Sequence, residues 1–130
     1  MSIHISRKDF ERYVKKALAD IPRTYRNLFH NIQIVVQDKP DEEDAYNAGV
    51  PSDSLLGLFK GVAFSQEKMF FALPQPMPNI IYLYQDNIES GCSNEQDLMR
   101  EIRMTLLHEV GHYLGLTEED LSDFENGEFP

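Results

Sequence analysis

Cysteine is nearly absent from this 130-residue chain: Cys92 stands alone, and there is no tryptophan. A lone cysteine makes no internal disulfide and no Cys-rich zinc cluster, so any metal held here must take its ligands from His, Asp or Glu. Long apolar runs are missing too. The longest near-apolar stretches, Leu55 to Phe59 and Met69 to Leu73, fall far short of the roughly 20 residues that span a bilayer. The opening Met1-Ser2-Ile3-His4-Ile5-Ser6-Arg7-Lys8 lacks the apolar core of a signal peptide. Positive charge is scarce, with Lys+Arg at 12 against Asp+Glu at 22 and a net charge of −10. That balance disfavours sequence-independent binding to DNA or RNA, which needs basic surface to meet phosphate. These absences lead us to expect a soluble protein of a reducing compartment, located in the cytoplasm. What is present is 42% hydrophobic residues, too many for a disordered chain. The length suits one domain, spanning 1–130, that buries roughly two thirds of its unfolded surface.

The charge is unevenly distributed. Residues 1–26 hold seven bases against three acids, which leaves −14 for the remainder. Asp41-Glu42-Glu43-Asp44 and the acid-rich stretch after Thr117 read as solvated faces, and the segment from Asp41 to Pro51 as an exposed loop. Ser6, with Asp9 three residues on, caps a first helix. Phe10, Val14, Ala17, Leu18 and Ile21 recur along it at helical spacing and form one apolar stripe. After Pro22 a short turn or helix runs through Tyr25, Leu28 and Phe29. Ile32, Ile34 and Val36 alternate with polar residues as a strand does. Leu55 to Phe64 reads as a strand, or as two around Lys60-Gly61, and Met69-Phe70-Phe71 as a further short one. Ile80-Ile81-Tyr82-Leu83-Tyr84 is apolar on both faces and should be an inner strand. The class is α/β of the α+β kind: a small mixed sheet with helices packed on it.

Ser93 to Phe124 carries the chemistry. Ser93 and Gln96 make a capping-box signature, and Glu95 and Asp97 favour the first turn by charge. Leu98, Ile102, Leu106 and Val110 then repeat every four residues, with no Gly or Pro before Gly111. On that helix lies His108-Glu109-Val110-Gly111-His112. Histidines four apart stand one turn above each other and can reach one metal ion, with Glu109 placed beside it to take a proton from water. A metal there activates water near neutral pH and polarises a scissile carbonyl. From this chain's content of His and Glu, the pattern arises by chance about 0.01 times per chain. The plain structural alternative is two ordinary histidines with Glu109 as a local ion-pair partner. Gly115 can end the helix in a left-handed turn. The chain then reverses and can bring Glu118 back toward the histidines, so that two His and one carboxylate leave a position for water, as catalytic zinc sites do. Asp120 and Asp123 are the fallback third ligands. Thr117 also looks like an N-cap, for which Glu118, Glu119 and Asp120 would be favourable first-turn charges.

The run His108-Glu109-Val110-Gly111-His112-Tyr113-Leu114-Gly115-Leu116-Thr117-Glu118 resembles the zincins, with the spacing of the extended metzincin motif and Glu in the third ligand position. More closely, the chain is similar to the small bacterial single-domain zincin-like metallopeptidases. The resemblance covers roughly residues 30 to 125 and takes in Leu55-Leu56-Gly57-Leu58-Phe59, Ile80-Ile81-Tyr82-Leu83-Tyr84, and Glu118-Glu119-Asp120-Leu121. It implies a minimal zincin-like fold, one zinc ion and peptidase activity; the residue pattern adds to that fold an N-terminal helix, an active-site helix and a short C-terminal helix. Members of that family commonly carry Asp or another polar residue where Glu118 stands. Metzincins have a Met-containing turn after the third ligand, whereas here twelve residues follow Glu118 and none is Met. Thermolysin-like enzymes take the third ligand from a later helix, for which Glu128 would be the only late candidate.

Other residues point less sharply. Tyr113 is turned about 100° from His112 on an ideal helix and is expected to pack or face solvent. Tyr82 and Tyr84 could stabilise an oxyanion, although strand aromatics mostly fill cores. His4 and His30 have no partner at ligand spacing. Cys92 could be an inhibitory fourth ligand. The expected function is zinc-dependent hydrolysis of peptide or protein substrates. His108, His112 and Glu118 would bind the metal and Glu109 would act as general base, with the peptide along an edge strand at residues 55–60. Two alternatives remain. One is a metal-dependent RNA-processing hydrolase, since the bacterial ribosomal-RNA maturation endonucleases space their ligands His-x3-His-x5-His. The Glu at 118, the Glu at 109 and the net charge disfavour it; the basic first helix keeps it open. The other is a non-catalytic zinc-binding protein on the same scaffold.

Overall fold

The computed structural model describes residues 1–26, 32–61 and 79–125, with the backbone alone described for Glu118, Phe124 and Glu125. The first helix, α1 (Arg7–Ala19), begins where the Ser6 hydroxyl accepts the Asp9 amide at 3.1 Å, and it buries Phe10, Val14 and Ala17. A single turn, α2 (Arg23–Arg26), follows Pro22 and leads toward β1 (Ile32–Gln37). The expectations for Leu28, Phe29 and the Met69-Phe70-Phe71 strand lie outside the described residues, as does any strand beyond Gly61.

The acidic run is a helix, not the expected exposed loop: α3 (Glu42–Ala48), closed by Gly49 in the left-handed region. Its three acids occupy the first turn, where the helix dipole favours negative charge. They therefore support the helix rather than mark a solvated strip. Asp44 is buried and its carboxylate meets Lys60 Nζ at 2.6 Å, which ties α3 to the end of β2 (Gly57–Lys60). Next come β3 (Asn79–Tyr84), α4 (Gln85–Ser90), α5 (Glu95–Leu114) and α6 (Glu118–Glu125).

The three strands form one sheet in the order β1-β3-β2, with β3 parallel to β1 and antiparallel to β2. The two-faced apolar strand is thus the inner one, as its composition predicts. On one face Ile81 and Leu83 join the stripes of α1 and α5 in a single core that includes Phe10, Val14, Leu98, Ile102, Leu106 and Val110. On the other, Tyr82 and Tyr84 stack at a centroid distance of 6.3 Å, 3° from parallel. Lys60 lies 5.6 Å from the Tyr82 ring centre.

The N-terminal segment is held to α4 by polar contacts that periodicity does not report. The buried Glu89 carboxylate accepts the Ile5 amide and the Gln85 side-chain amide, each at 3.0 Å, and meets His4 Nδ1 at 3.5 Å. Arg7 donates to Gln85 at 2.7 Å and to the Val36 carbonyl at 2.8 Å, and pairs with Asp38. These bonds compensate the burial of a charged group, which would otherwise be costly. The architecture is α+β, a small mixed sheet with an N-terminal helix, a long motif helix and a short C-terminal one. Among the described residues no helix is long and apolar enough to cross a membrane.

Candidate metal centre

The helix that carries the motif starts one residue later than its sequence suggests. Asn94, not Ser93, is the N-cap, and its side-chain oxygen accepts the Asp97 amide at 2.9 Å. Asn caps as well as Ser does, and Asp97 then takes the position that Gln96 would have had in the expected box. From there α5 runs 20 residues, roughly 30 Å at the α-helical rise. Leu98, Ile102, Leu106 and Val110 are all within 1% of complete burial. That stripe fixes the rotation of the helix and so the side on which the histidines emerge.

His108 and His112 stand one turn apart with ring centroids 4.5 Å from each other. His108 is half-buried and His112 exposed, while Glu109 retains only 6% of its surface. One ligand atom from each of the three lies within 4.8 Å of the others. Donors on a shared tetrahedral zinc sit roughly 3.3 Å apart, so small side-chain rotations bring the imidazoles onto one ion. Two imidazoles are ligands that zinc accepts, and the Glu109 carboxylate stands beside them. Glu109 Oε1 contacts His112 Nδ1 at 3.1 Å. With Nδ1 as the donor, Nε2 keeps the lone pair that a metal requires.

Gly115 ends α5 in the left-handed region at φ 73°, with its amide on the His112 carbonyl and the Leu116 amide on Gly111, both at 3.1 Å. The chain reverses as expected. Thr117 caps α6, its hydroxyl accepting the Asp120 amide at 3.2 Å. Gly111, inside the motif, lets α6 come close: a Cβ there would overlap the Leu121 side chain, which is itself buried. Glu118 is the first residue of α6, and its side chain lies outside the described residues. Asp120 and Asp123, the fallback ligands, stand outside the His108, Glu109 and His112 group.

Cys92 is buried in the core. Its thiol donates to the Ile88 carbonyl at 3.3 Å, and burial pushes its pKa up. It precedes α5 and is thus roughly 20 Å of helix away from His108, so it is no fourth ligand. Tyr113 packs, fully buried, with its ring edge-on to Phe59 at 5.7 Å. Tyr84 is fully buried, and among the described residues its hydroxyl has no hydrogen-bond partner.

A groove of about 300 Å³ opens beside His108, lined by Leu55, Leu56 and Gly57 and by Glu101, Met104, Thr105, His108 and Glu109 of α5. The expected substrate edge, residues 55–60, borders this groove through Leu55, Leu56 and Gly57. Among the described residues β2 pairs with β3 alone and is an edge strand. Gly57 serves a different close approach from the one expected: a Cβ there would come within 2.8 Å of Thr105 Cγ2 and 3.3 Å of Glu109 Cγ. The bare backbone lets α5 settle against β2 with Glu109 at the seam. Glu101, Met104 and Thr105 belong to no motif in the sequence, yet they line the groove. Their offsets of seven, four and three residues before His108 place them on its helical face, which was the available signal.

No curated protein matches the chain. The family model described as "Zincin-like metallopeptidase" matches residues 29–128, which takes in the sheet, the motif helix and α6. With that match covering most of its length, and with the His-Glu-His group on the helix the family motif requires, the chain belongs to the zincin-like metallopeptidase family.

Proposed function

We propose that the chain is a zinc-dependent peptidase in which His108 and His112 bind the ion, Glu118 supplies the third ligand and Glu109 is the general base. The observation that carries this reading is the placement of Glu109. It is nearly buried, lies within 4.8 Å of both imidazole donors, and borders the groove. When bound, zinc supplies Lewis acidity toward a water molecule and toward the carbonyl of the scissile bond.

The protein's own residues do the rest. His112 Nδ1 holds the Glu109 carboxylate by a 3.1 Å contact, which orients one oxygen and leaves the other for water. That free oxygen takes a proton from the attacking water as the water oxygen bonds to the carbonyl carbon. Glu109 then passes the proton to the departing amine nitrogen as the C–N bond breaks, so one carboxylate serves as base and then acid. Its low exposure excludes competing solvent, which strengthens these charge interactions. A peptide substrate would lie in extended form along β2, the edge strand whose start borders the groove.

Replacing Glu109 by Gln preserves shape and removes the base. The zinc-loaded Glu109→Gln protein should cleave a peptide library about 10²–10⁴-fold more slowly than wild type while keeping its zinc. Undiminished cleavage by that variant would overturn the role given to Glu109. Wild-type protein that retains zinc but cleaves no member of the library would favour a non-catalytic zinc-binding role instead.

A further inference from the structure

We propose that the groove beside the histidines is a subsite for a basic side chain of the substrate, a lysine or arginine next to the scissile bond, selected by Glu101. This rests on the peptidase reading and adds a substrate class to it. Leu55, Leu56 and Met104 give the groove apolar walls, and Met104 leaves 36% of its surface open to contact. Farther along α5 the lining ends in a carboxylate, Glu101, two helical turns before His108. Seven residues of helix separate the two by roughly 10 Å. A lysine or arginine side chain leaving the peptide near His108 spans most of that distance, while leucine or methionine stops short. The match is also chemical, because the stems of Lys and Arg lie well along apolar surface while their cationic heads reach a polar end.

The state of Glu101 supports this assignment. The other acids near it are engaged: Asp97 pairs with Arg100 at 2.8 Å, and Glu109 contacts His112 at 3.1 Å. Among the described residues Glu101 has neither a hydrogen bond nor an ion pair, though it is half-buried. Among the described residues the groove lining contains Glu101 and Glu109 and no Lys or Arg, and the whole chain carries −10. The local field therefore favours a cation and disfavours an acidic side chain. Apolar walls without Glu101 would select leucine or methionine, and this distinction is what the test must resolve.

The test uses the zinc-loaded full chain and three peptide hydroxamates that differ at one side chain: lysine, norleucine and glutamate. Norleucine reproduces the lysine stem without its charge. Calorimetry should find the lysine compound bound about tenfold more tightly than norleucine, as expected for a hydrogen bond to a charged group, and glutamate bound most weakly. Glu101→Gln should bring lysine and norleucine to near equality, and Glu101→Lys should reverse the order of lysine and glutamate. Equal binding of lysine and norleucine by wild type, or a lysine preference that survives Glu101→Gln, overturns the subsite. Cleavage of peptides with the same three side chains separates the two claims. A lysine preference in binding with no cleavage sinks the peptidase reading and keeps the subsite; cleavage indifferent to the side chain does the reverse. If none of the hydroxamates binds, both fall.

Discussion

Tyr84 hides its ring completely and, among the described residues, gives its hydroxyl no partner, an arrangement that costs about 1–3 kcal/mol of lost hydration. Tyr84→Phe removes that atom and keeps the ring stacked on Tyr82. We expect it to raise stability in urea at pH 7 by about 1 kcal/mol, and a loss of similar size would show that the hydroxyl has a native partner. Cys92 is a second residue whose environment sets its chemistry. With its thiol buried, bonded to the Ile88 carbonyl and raised in pKa, it should resist a thiol reagent at pH 8 in the native protein and react fully once unfolded. Rapid native reaction would contradict its place in the core. Neither property was legible beforehand. Sequence placed Tyr84 on an inner strand, but whether its hydroxyl finds a partner depends on α3 and β2, which are far away in the chain. The motif residues are the opposite case, because the imidazoles and Glu109 are related by helical offsets of one and four residues, and a single well-patterned helix suffices to place them.

Between elements, the seam of β2 and α5 governs the position of Glu109. A methyl at Gly57 would press on Thr105 Cγ2 at 2.8 Å, the Tyr82 carbonyl oxygen at 3.1 Å and Glu109 Cγ at 3.3 Å. Two of these neighbours belong to α5 and the third is backbone, so helix and strand must separate. Gly57→Ala should destabilise the fold by about 1–3 kcal/mol, the usual cost of overpacking, and lower affinity for zinc as the motif helix moves. Chemical denaturation together with a chelator competition would read both effects, and unchanged values for each would mean that the seam is loose. This seam also marks where sequence reading ends. The stripe Leu98, Ile102, Leu106, Val110 and the terminating Gly115 made α5 readable along its whole length. Its first residue shifted by one because Asn94 and Ser93 are equally able caps. The acidic run reads as a loop in the sequence because adjacent acids look solvated when counted as charge. At the start of a helix they are stabilised by the dipole, and Asp44 is further held by Lys60. Nothing local announces that residues 55–57 flank the histidines; that follows from the pairing of β2 with β3.

At the scale of the molecule, alkaline pH should weaken the fold from the face of the sheet opposite the core. The hydrogen bond to Asp44 holds the Lys60 ammonium above its ordinary 10.5, and burial pushes the Tyr84 phenol well above its ordinary 10.0. Both folded-state values are raised, so the stability linked to them is fully present below those ordinary values and is lost as pH climbs through the raised ones. Melting temperature should therefore fall above pH 10, and less steeply in Tyr84→Phe, whereas identical slopes would exclude Tyr84 as a source. The overall charge of −10 now has structure: Asp44 anchors α3, Glu89 anchors the N-terminal segment, and Glu101 and Glu109 line one groove. The chain's single cysteine is spent on packing, which leaves metal binding to His and carboxylate. The most direct measurement is the zinc content of purified wild type, His108→Ala and His112→Ala after exhaustive dialysis, with circular dichroism confirming that each variant keeps its helices. The account predicts one zinc per wild-type chain and little in either variant. Full zinc retention by both folded variants would contradict it.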